Sequence, residues 1–443
     1  MPQLHFGTGR TVITPPLGIE LCGYGPYRER KGEVIVQDLH CTALALSDGA
    51  ETYVWISNDL IWVDRTLVDA TLRLVRRRHH LDPSKVVVAN THTHSGPATM
   101  RTVAWGELDD AYTQTLPALF GEAVGQAVEN LAPGRIGFGR APIPKLSINR
   151  VDDDGPVDEE AVLIRIDDME GRIRAAAINF GAHPVTLGAS AHVCGDYVSD
   201  GVAKMEQELN DTAKILFFQG SCGNLNCRGF GDGLETMKAN GTLLKDYVLD
   251  ALECIETSSD VTLAGDKYEM ALPMQVPERE PIKQELMDYE QKITDYVENR
   301  DAAEYKTLLY ERDWRKIRLE MLDGPHPQRL EFQVAYLRIN DSVLIAHPLE
   351  LFLEFGIAIK AASPYPHTIL VGYANEVVGY LARPQDFSHA GFGWYAAIAA
   401  PRLCRHLEFE QDAGEVFCTH IEGLLHRIKE REQRCLDWPN SSK

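Results

Sequence analysis

Apolar and polar positions alternate with a period of two in "DLHCTALALSDG" and again in "TYVWISNDL", each running to a turn, which predicts two strands of one hairpin. The period then lengthens. "TLVDATLRLVRRRHH" repeats its apolar residues at helical spacing, and "DPSKVVVANTHTH" reads as a turn feeding a buried strand. "AYTQTLPALFGEAVGQAVENL" predicts a second helix that stops at Ala132-Pro133-Gly134. Strand patterns return at "RIGFGRAPI", "AVLIRIDD" and "RIRAAAINFGAHPV". "DGVAKMEQELN" predicts a helix and "AKILFFQGSCGN" a strand entering a loop. After the strand "VTLAGDKYEMALP" the strands of "FQVAYLRINDSVLIAHP" lead to a helix in "LELFLEFGIAIKAA", the strand "HTILVGYAN" and a closing helix from about Gly414 to Glu432. Strands and helices interleaved in this way predict a mixed α/β architecture of layered sheets flanked by helices.

One segment breaks the pattern. From Pro277 to about Leu322 the chain is dense in charge and poor in glycine, with the apolar spacing of one or two amphipathic helices. It predicts a helical insertion, read equally well as a solvated hairpin, a lid or a homo-oligomer contact. Removing it leaves one continuous succession of elements without repeats, so the expectation is a single domain over 1–443 carrying that insertion.

Composition narrows the partners. The 443 residues carry a formal net charge of −21, which repels phosphate backbones and anionic bilayers, so neither nucleic acid binding nor stable membrane association is expected. The basic run Arg73 to His80 suits the C-terminal end of its helix, where cations complement the macrodipole. Nine cysteines without paired spacing suit a reducing compartment, and the first residues lack a charged start followed by an apolar stretch. A cytoplasmic protein is expected.

The chemistry concentrates at the ends of predicted strands. In "NTHTHSGP" an extended backbone would put His92 and His94 on one face, and two imidazoles on one face suit a metal centre as well as they suit a hydrogen-bonded turn. His183, in "NFGAHPVTL", again closes an apolar strand, and strand ends distant in sequence meet at one rim of a sheet. Glu350, expected to begin a helix, and Tyr373 and Tyr380 in "GYANEVVGYL" follow the same logic. Cys222 or Cys227 beside a histidine would make a thiol nucleophile, and a closed four-ligand zinc site would make a non-catalytic scaffold.

The order of "ITPPLGIELCGYG", "NTHTHSGP", "INR", "NFGAHPVTL", "FFQGSCGNLN", "HPLELFLEFG" and "GYANEVVGYL" resembles the neutral and alkaline ceramidase family of zinc amidases over most of the chain. The resemblance implies zinc held by His92, His183, Glu350 and Tyr380, with His94 and Arg150 lining the substrate site; Tyr373 lies beside a ligand motif without an assigned role. It also implies hydrolysis of an amide bond by a metal-activated water. His94 would shuttle the proton, while Asn224 and backbone amides of "GSCGN" donate to the oxyanion. The sequence departs from the family in two places. Asn226 stands where ceramidases carry a serine, and Phe392 where a tyrosine is expected. The C-terminal immunoglobulin-like domain of ceramidases is not expected here, and a small or medium N-acyl compound is the expected substrate.

Overall fold

A computed structural model describes residues 2–26, 29–297, 299–325, 328–388 and 391–437. Three sheets carry the fold. In the first, Val86–Asn90, Thr52–Asn58, His40–Ser47, His5–Val12 and Ala132–Pro133 lie in that order. The predicted hairpin pairs antiparallel, and Val86–Asn90 adds to it in parallel. The second runs Lys214–Gln219, Ile173–Phe180, Glu160–Asp167, Arg135–Pro142, and the third Leu263–Pro273, Arg329–Ile339, Ser342–Ala346, His367–Val371.

All three sheets contribute to a common core. Trp55 and Val87 from the first sheet, Ile164 and Phe218 from the second, and Leu337 and Ile369 from the third belong to one cluster of side chains nearly closed to solvent. Helices cover the outer faces. Arg65–His79 and Leu116–Glu129 bury Val68, Val75, Phe120 and Val124 against the first sheet; Asp196–Glu208 and Leu234–Glu253 cover the second. Leu353–Ala362 and Ala413–Asp437 pack with the third. Each removal of such a face from water stabilises the fold by roughly 25 cal/mol per Å² of apolar surface. The expected mixed architecture of sheets flanked by helices is the one observed.

The Arg65–His79 helix opens on Asp64, whose carboxylate accepts from the Leu67 N–H, and closes with its basic run in the last turn and His80 in a left-handed conformation. That matches the helix-end reading of Arg73 to His80. The charged insertion forms two helices, Arg279–Asp295 and Ala303–Leu322, placed between the antiparallel strands Leu263–Pro273 and Arg329–Ile339. The second of them is docked: Tyr310, Trp314 and Ile317 join the core, whereas Ile282 alone is buried along the first.

Two expectations need correction. The helix predicted across "AYTQTLPALFGEAVGQAVENL" is split into Asp110–Thr113 and Leu116–Glu129, with Pro117 in the first turn of the second piece, because proline is tolerated where its missing N–H is not needed. Glu350 does not begin a helix. It is the middle residue of the strand Leu349–Leu351, which pairs parallel with Gly379–Leu381, and the helix starts only at Leu353. The helix Leu234–Glu253, "LETMKANGTLLKDYVLDALE", carries no prediction from the sequence pattern above. Among the described residues no helix is long and apolar enough to cross a membrane.

Candidate metal centre

Four strand ends deliver side chains to one buried point. Val86–Asn90 is buried throughout and ends at Asn90, whose carboxamide donates to the Tyr373 carbonyl at 2.8 Å. Beyond it the chain does not continue as a strand. His92 adopts φ +66°, so the two histidines do not reach one face by strand alternation. They meet because the left-handed turn folds the segment back, bringing their Nε2 atoms to 3.2 Å. His183 follows Ile173–Phe180, and its backbone N–H donates to Leu225 O. Glu350 and Tyr380 are register partners in their parallel pair and so project from the same face.

The donor atoms converge. Glu350 Oε2 lies 3.4 Å from His92 Nε2 and 3.4 Å from His183 Nε2. The Tyr380 hydroxyl accepts from Arg150 Nη2 at 3.0 Å and is hydrogen-bonded to Glu350. His92, His94 and His183 offer nitrogens within 4.8 Å of one another. His183 and Glu350 are 0% and 2% exposed, which removes water as a compensating partner.

Tautomers follow from the outer partners. His92 Nδ1 is 2.8 Å from Ile61 O, His94 Nδ1 is 2.9 Å from Gly23 O, and His183 Nδ1 lies 2.9 Å from Leu225 O and 3.0 Å from Cys222 O. A carbonyl only accepts, so each Nδ1 carries the hydrogen and each Nε2 presents a lone pair inward. Burial pushes the His92 imidazolium down to about 3 and holds those of His94 and His183 well below the usual range. The rings are neutral. Burial also pushes the Glu350 carboxyl up to about 7, against the lowering effect of Arg150 and the two tyrosine hydroxyls.

Neutral nitrogen lone pairs and the oxygens of Glu350 therefore face each other, and burial without a cation disfavours the carboxylate form that a metal would restore. Among the described residues, the donors turned toward them are the Arg150 guanidinium, 3.1 Å from His183 Nε2, and the hydroxyls of Tyr373 and Tyr380. Such a set is stabilised by a cation at its centre. In a tetrahedral zinc site with bonds of about 2.0–2.1 Å the ligand atoms stand roughly 3.4 Å apart. The separations from Glu350 fit that edge.

Beside these groups opens a cavity of about 620 Å³, walled by Tyr24, Trp62, Trp105, Phe230, Phe392 and Tyr395, with His92, His94, Arg150, Glu350 and Tyr380 also along it. Arg150 is held in detail. It donates to Asn226 Oδ1, Gly223 O and Tyr380, and its guanidinium carbon lies 3.7 Å from the Phe392 ring centroid. Both positions where the sequence departs from the family motif thus contact the same arginine.

Asn224 is elsewhere. Its Oδ1 accepts the Leu353 N–H at 2.8 Å and its Nδ2 donates to Glu354 at 2.8 Å. Both ends of its amide are engaged at the start of the Leu353–Ala362 helix, an arrangement that differs from the free oxyanion donor expected from the sequence. Cys222 and Cys227 are fully buried, and burial pushes both thiols up to about 12, which keeps them protonated.

Some residues of the site carried no sequence signal. Arg30, in the charged stretch "RERKGE", reads as surface but is buried, donating to Cys22 O and His94 O. Gly23 takes φ +124°, and a Cβ there would stand 2.6 Å from His94 Nδ1. Only "LCGYG" hinted at special backbone angles.

A sequence model of the neutral/alkaline non-lysosomal ceramidase family, N-terminal part, matches residues 4–232. The chain belongs to that family. The fold agrees with it: the crystal structure of neutral ceramidase from Pseudomonas aeruginosa aligns over 97% of this chain and 75% of its own, with a TM-score of 0.74 at 17% identity. A structure described as ceramidase complexed with C2 aligns over 97% and 76%, again at 0.74, with 16% identity. This ceramidase-family chain therefore has the fold of a hydrolase family and, at its strand ends, a buried histidine group able to bind a metal.

Proposed function

We propose that the chain is a zinc-dependent amide-bond hydrolase acting on a small or medium N-acyl compound. The observation that carries this reading is the inward convergence of unprotonated Nε2 atoms and the Glu350 carboxylate, each nitrogen fixed from behind by a backbone carbonyl. His92, His183, Glu350 and Tyr380 would hold the ion. Zinc bound there supplies Lewis acidity toward a carbonyl and a nucleophile from water at neutral pH.

The protein's own groups do the rest. His94, anchored by Nδ1 on Gly23 O, keeps Nε2 available to take a proton and return it to the leaving nitrogen of the amide. Arg150 fixes the Tyr380 oxygen and carries a positive charge next to the developing negative one. The aromatic walls of the cavity receive the apolar parts of the substrate and exclude water. The thiol alternative is weakened by the burial of Cys222 and Cys227, and the scaffold alternative by a cavity that opens onto the donors.

A second donor set rests on the grouping of His92, His94 and His183, in which His94 would bind the ion in place of Glu350. Metal analysis of His94→Ala and Glu350→Gln separates the two. The overall reading is tested by hydrolysis of a panel of N-acyl amines, lactams and esters with zinc-replete and chelator-treated protein. Full turnover by metal-free protein would end it.

A further inference from the structure

Tyr373 is fully buried and held on every side. Its backbone takes φ +54°, and its carbonyl accepts from Asn90. Its ring stacks on His92 with centroids 3.9 Å apart and planes 26° from parallel. Its hydroxyl lies 3.4 Å from Glu350 Oε2 on one side and 3.1 Å from Cys222 Sγ on the other. A phenol has a single proton to donate. Cys222, protonated and closed to solvent, has the Tyr373 oxygen in reach, so the chain of donors runs from the thiol to the phenol and from the phenol to the carboxylate.

We propose that Tyr373 is a positioning residue that orients two metal donors at once, Glu350 through its hydroxyl and His92 through its ring, and that Cys222 fixes the direction in which that hydroxyl points. The inference rests on the reading of His92 and Glu350 as ligands. Tyr373 does not itself line the cavity, whereas His92 and Glu350 do, so it reaches the site through those two groups. Outer partners of metal ligands are worth roughly 10–100-fold in metal affinity. The phenol has the geometry of such a partner on Glu350, and the thiol is one step further out.

The test is metal affinity and the visible spectrum of the cobalt-substituted full-length protein, measured for wild type, Tyr373→Phe and Cys222→Ala. Tyr373→Phe keeps the stacked ring and removes only the donor. It should weaken zinc roughly 10–100-fold in competition with a chromogenic chelator and shift the ligand-field bands, while the melting temperature of the apoprotein changes little. Cys222→Ala, which leaves the phenol itself in place, should shift the same bands in the same direction with a smaller loss of affinity. Zinc affinity within twofold of wild type and unchanged bands in both variants would overturn the proposal while leaving the metal centre intact. If Tyr373→Phe does not fold, Cys222→Ala decides alone: unchanged bands overturn the proposal and shifted bands support it. A wild type that binds no metal at all removes the underlying reading, and this inference falls with it.

Discussion

Replacing Asn224 by alanine separates the oxyanion role expected from the sequence from the helix-capping contact seen in the structure. In the structure its Oδ1 accepts from the Leu353 N–H and its Nδ2 donates to Glu354, both at 2.8 Å. Asn224 and Leu353 are 0% and 3% exposed, so no water replaces the lost acceptor. An orphaned buried N–H costs about 1–3 kcal/mol. The second bond ends on a partly exposed carboxylate that stays paired with Arg383, so its loss adds only about 1 kcal/mol. The variant should lose roughly 2–4 kcal/mol of stability. At about 2.1 cal/mol/K per residue, the unfolding entropy of a chain this long is roughly 0.9 kcal/mol/K, so the melting temperature should fall by about 2–4 °C. An oxyanion donor, by contrast, is worth roughly 10²–10³ in kcat. Thermal scans by circular dichroism, paired with steady-state kinetics on the zinc-replete protein, should show the lower melting temperature with kcat reduced less than about tenfold. A hundredfold fall in kcat at an unmoved melting temperature would refute the capping argument and return Asn224 to the reaction.

Three further outcomes are expected. Metal analysis should find one equivalent of zinc in wild type, a small fraction of that in His92→Ala and Glu350→Gln, and near-full occupancy in His94→Ala with kcat down roughly 10²–10⁴-fold; the reverse occupancies would make His94 the ligand. Gly23→Ala places a Cβ 2.6 Å from His94 Nδ1 on a residue at φ +124°, so kcat should drop while zinc content holds, and unchanged kinetics would show that the ring is not anchored there. Iodoacetamide should label Cys254, the exposed member of the described cysteines, and leave Cys222 and Cys227 unmodified with turnover intact, as read by peptide mass spectrometry. Inactivation that tracks labelling of Cys222 would revive a thiol mechanism.

The parts of this site that were legible in the sequence are those where a local pattern and a chemical identity coincide. An apolar strand followed by histidine, at "VVVANTHTH" and "INFGAH", marks both a sheet rim and a donor, and the structure brings His92, His94 and His183 together. Glu350 was legible as a residue and not as an element. "LELFLEFG" has helical composition, yet pairing with Gly379–Leu381 wins over the first three residues, because strand formation depends on a partner strand that local propensity does not contain. The same limit hid Arg30, whose burial is decided by carbonyls of Cys22, His94 and Ser190 contributed from three separate segments. The capping contact of Asn224 was hidden for a related reason: a loop glycine–asparagine pair fits a backbone cradle, and only the position of Leu353 reveals that the amide caps a helix.

The charged insertion bears on the site through its supports. Its docked helix contributes none of the converging donors, but Lys306 pairs with Glu29 at 3.2 Å and Glu311 with Arg402 at 2.8 Å. Glu29 precedes Arg30, which holds the His94 carbonyl, and Arg402 precedes Leu403, which lines the cavity beside the aromatic residues of 392–395. One helix therefore braces both the loop behind His94 and the stretch that brings Leu403 to the cavity wall. The Lys306–Glu29 pair is exposed enough to contribute little stability, whereas the Glu311–Arg402 pair is largely shielded and accepts at both carboxylate oxygens. Changes in the second helix should thus shift substrate preference through the cavity wall and leave the donor cluster unaltered. The first helix, where Ile282 is the one buried residue, reaches the site at one remove, because Glu285 pairs with Arg315 at 2.9 Å and Arg315 in turn pairs with Glu311.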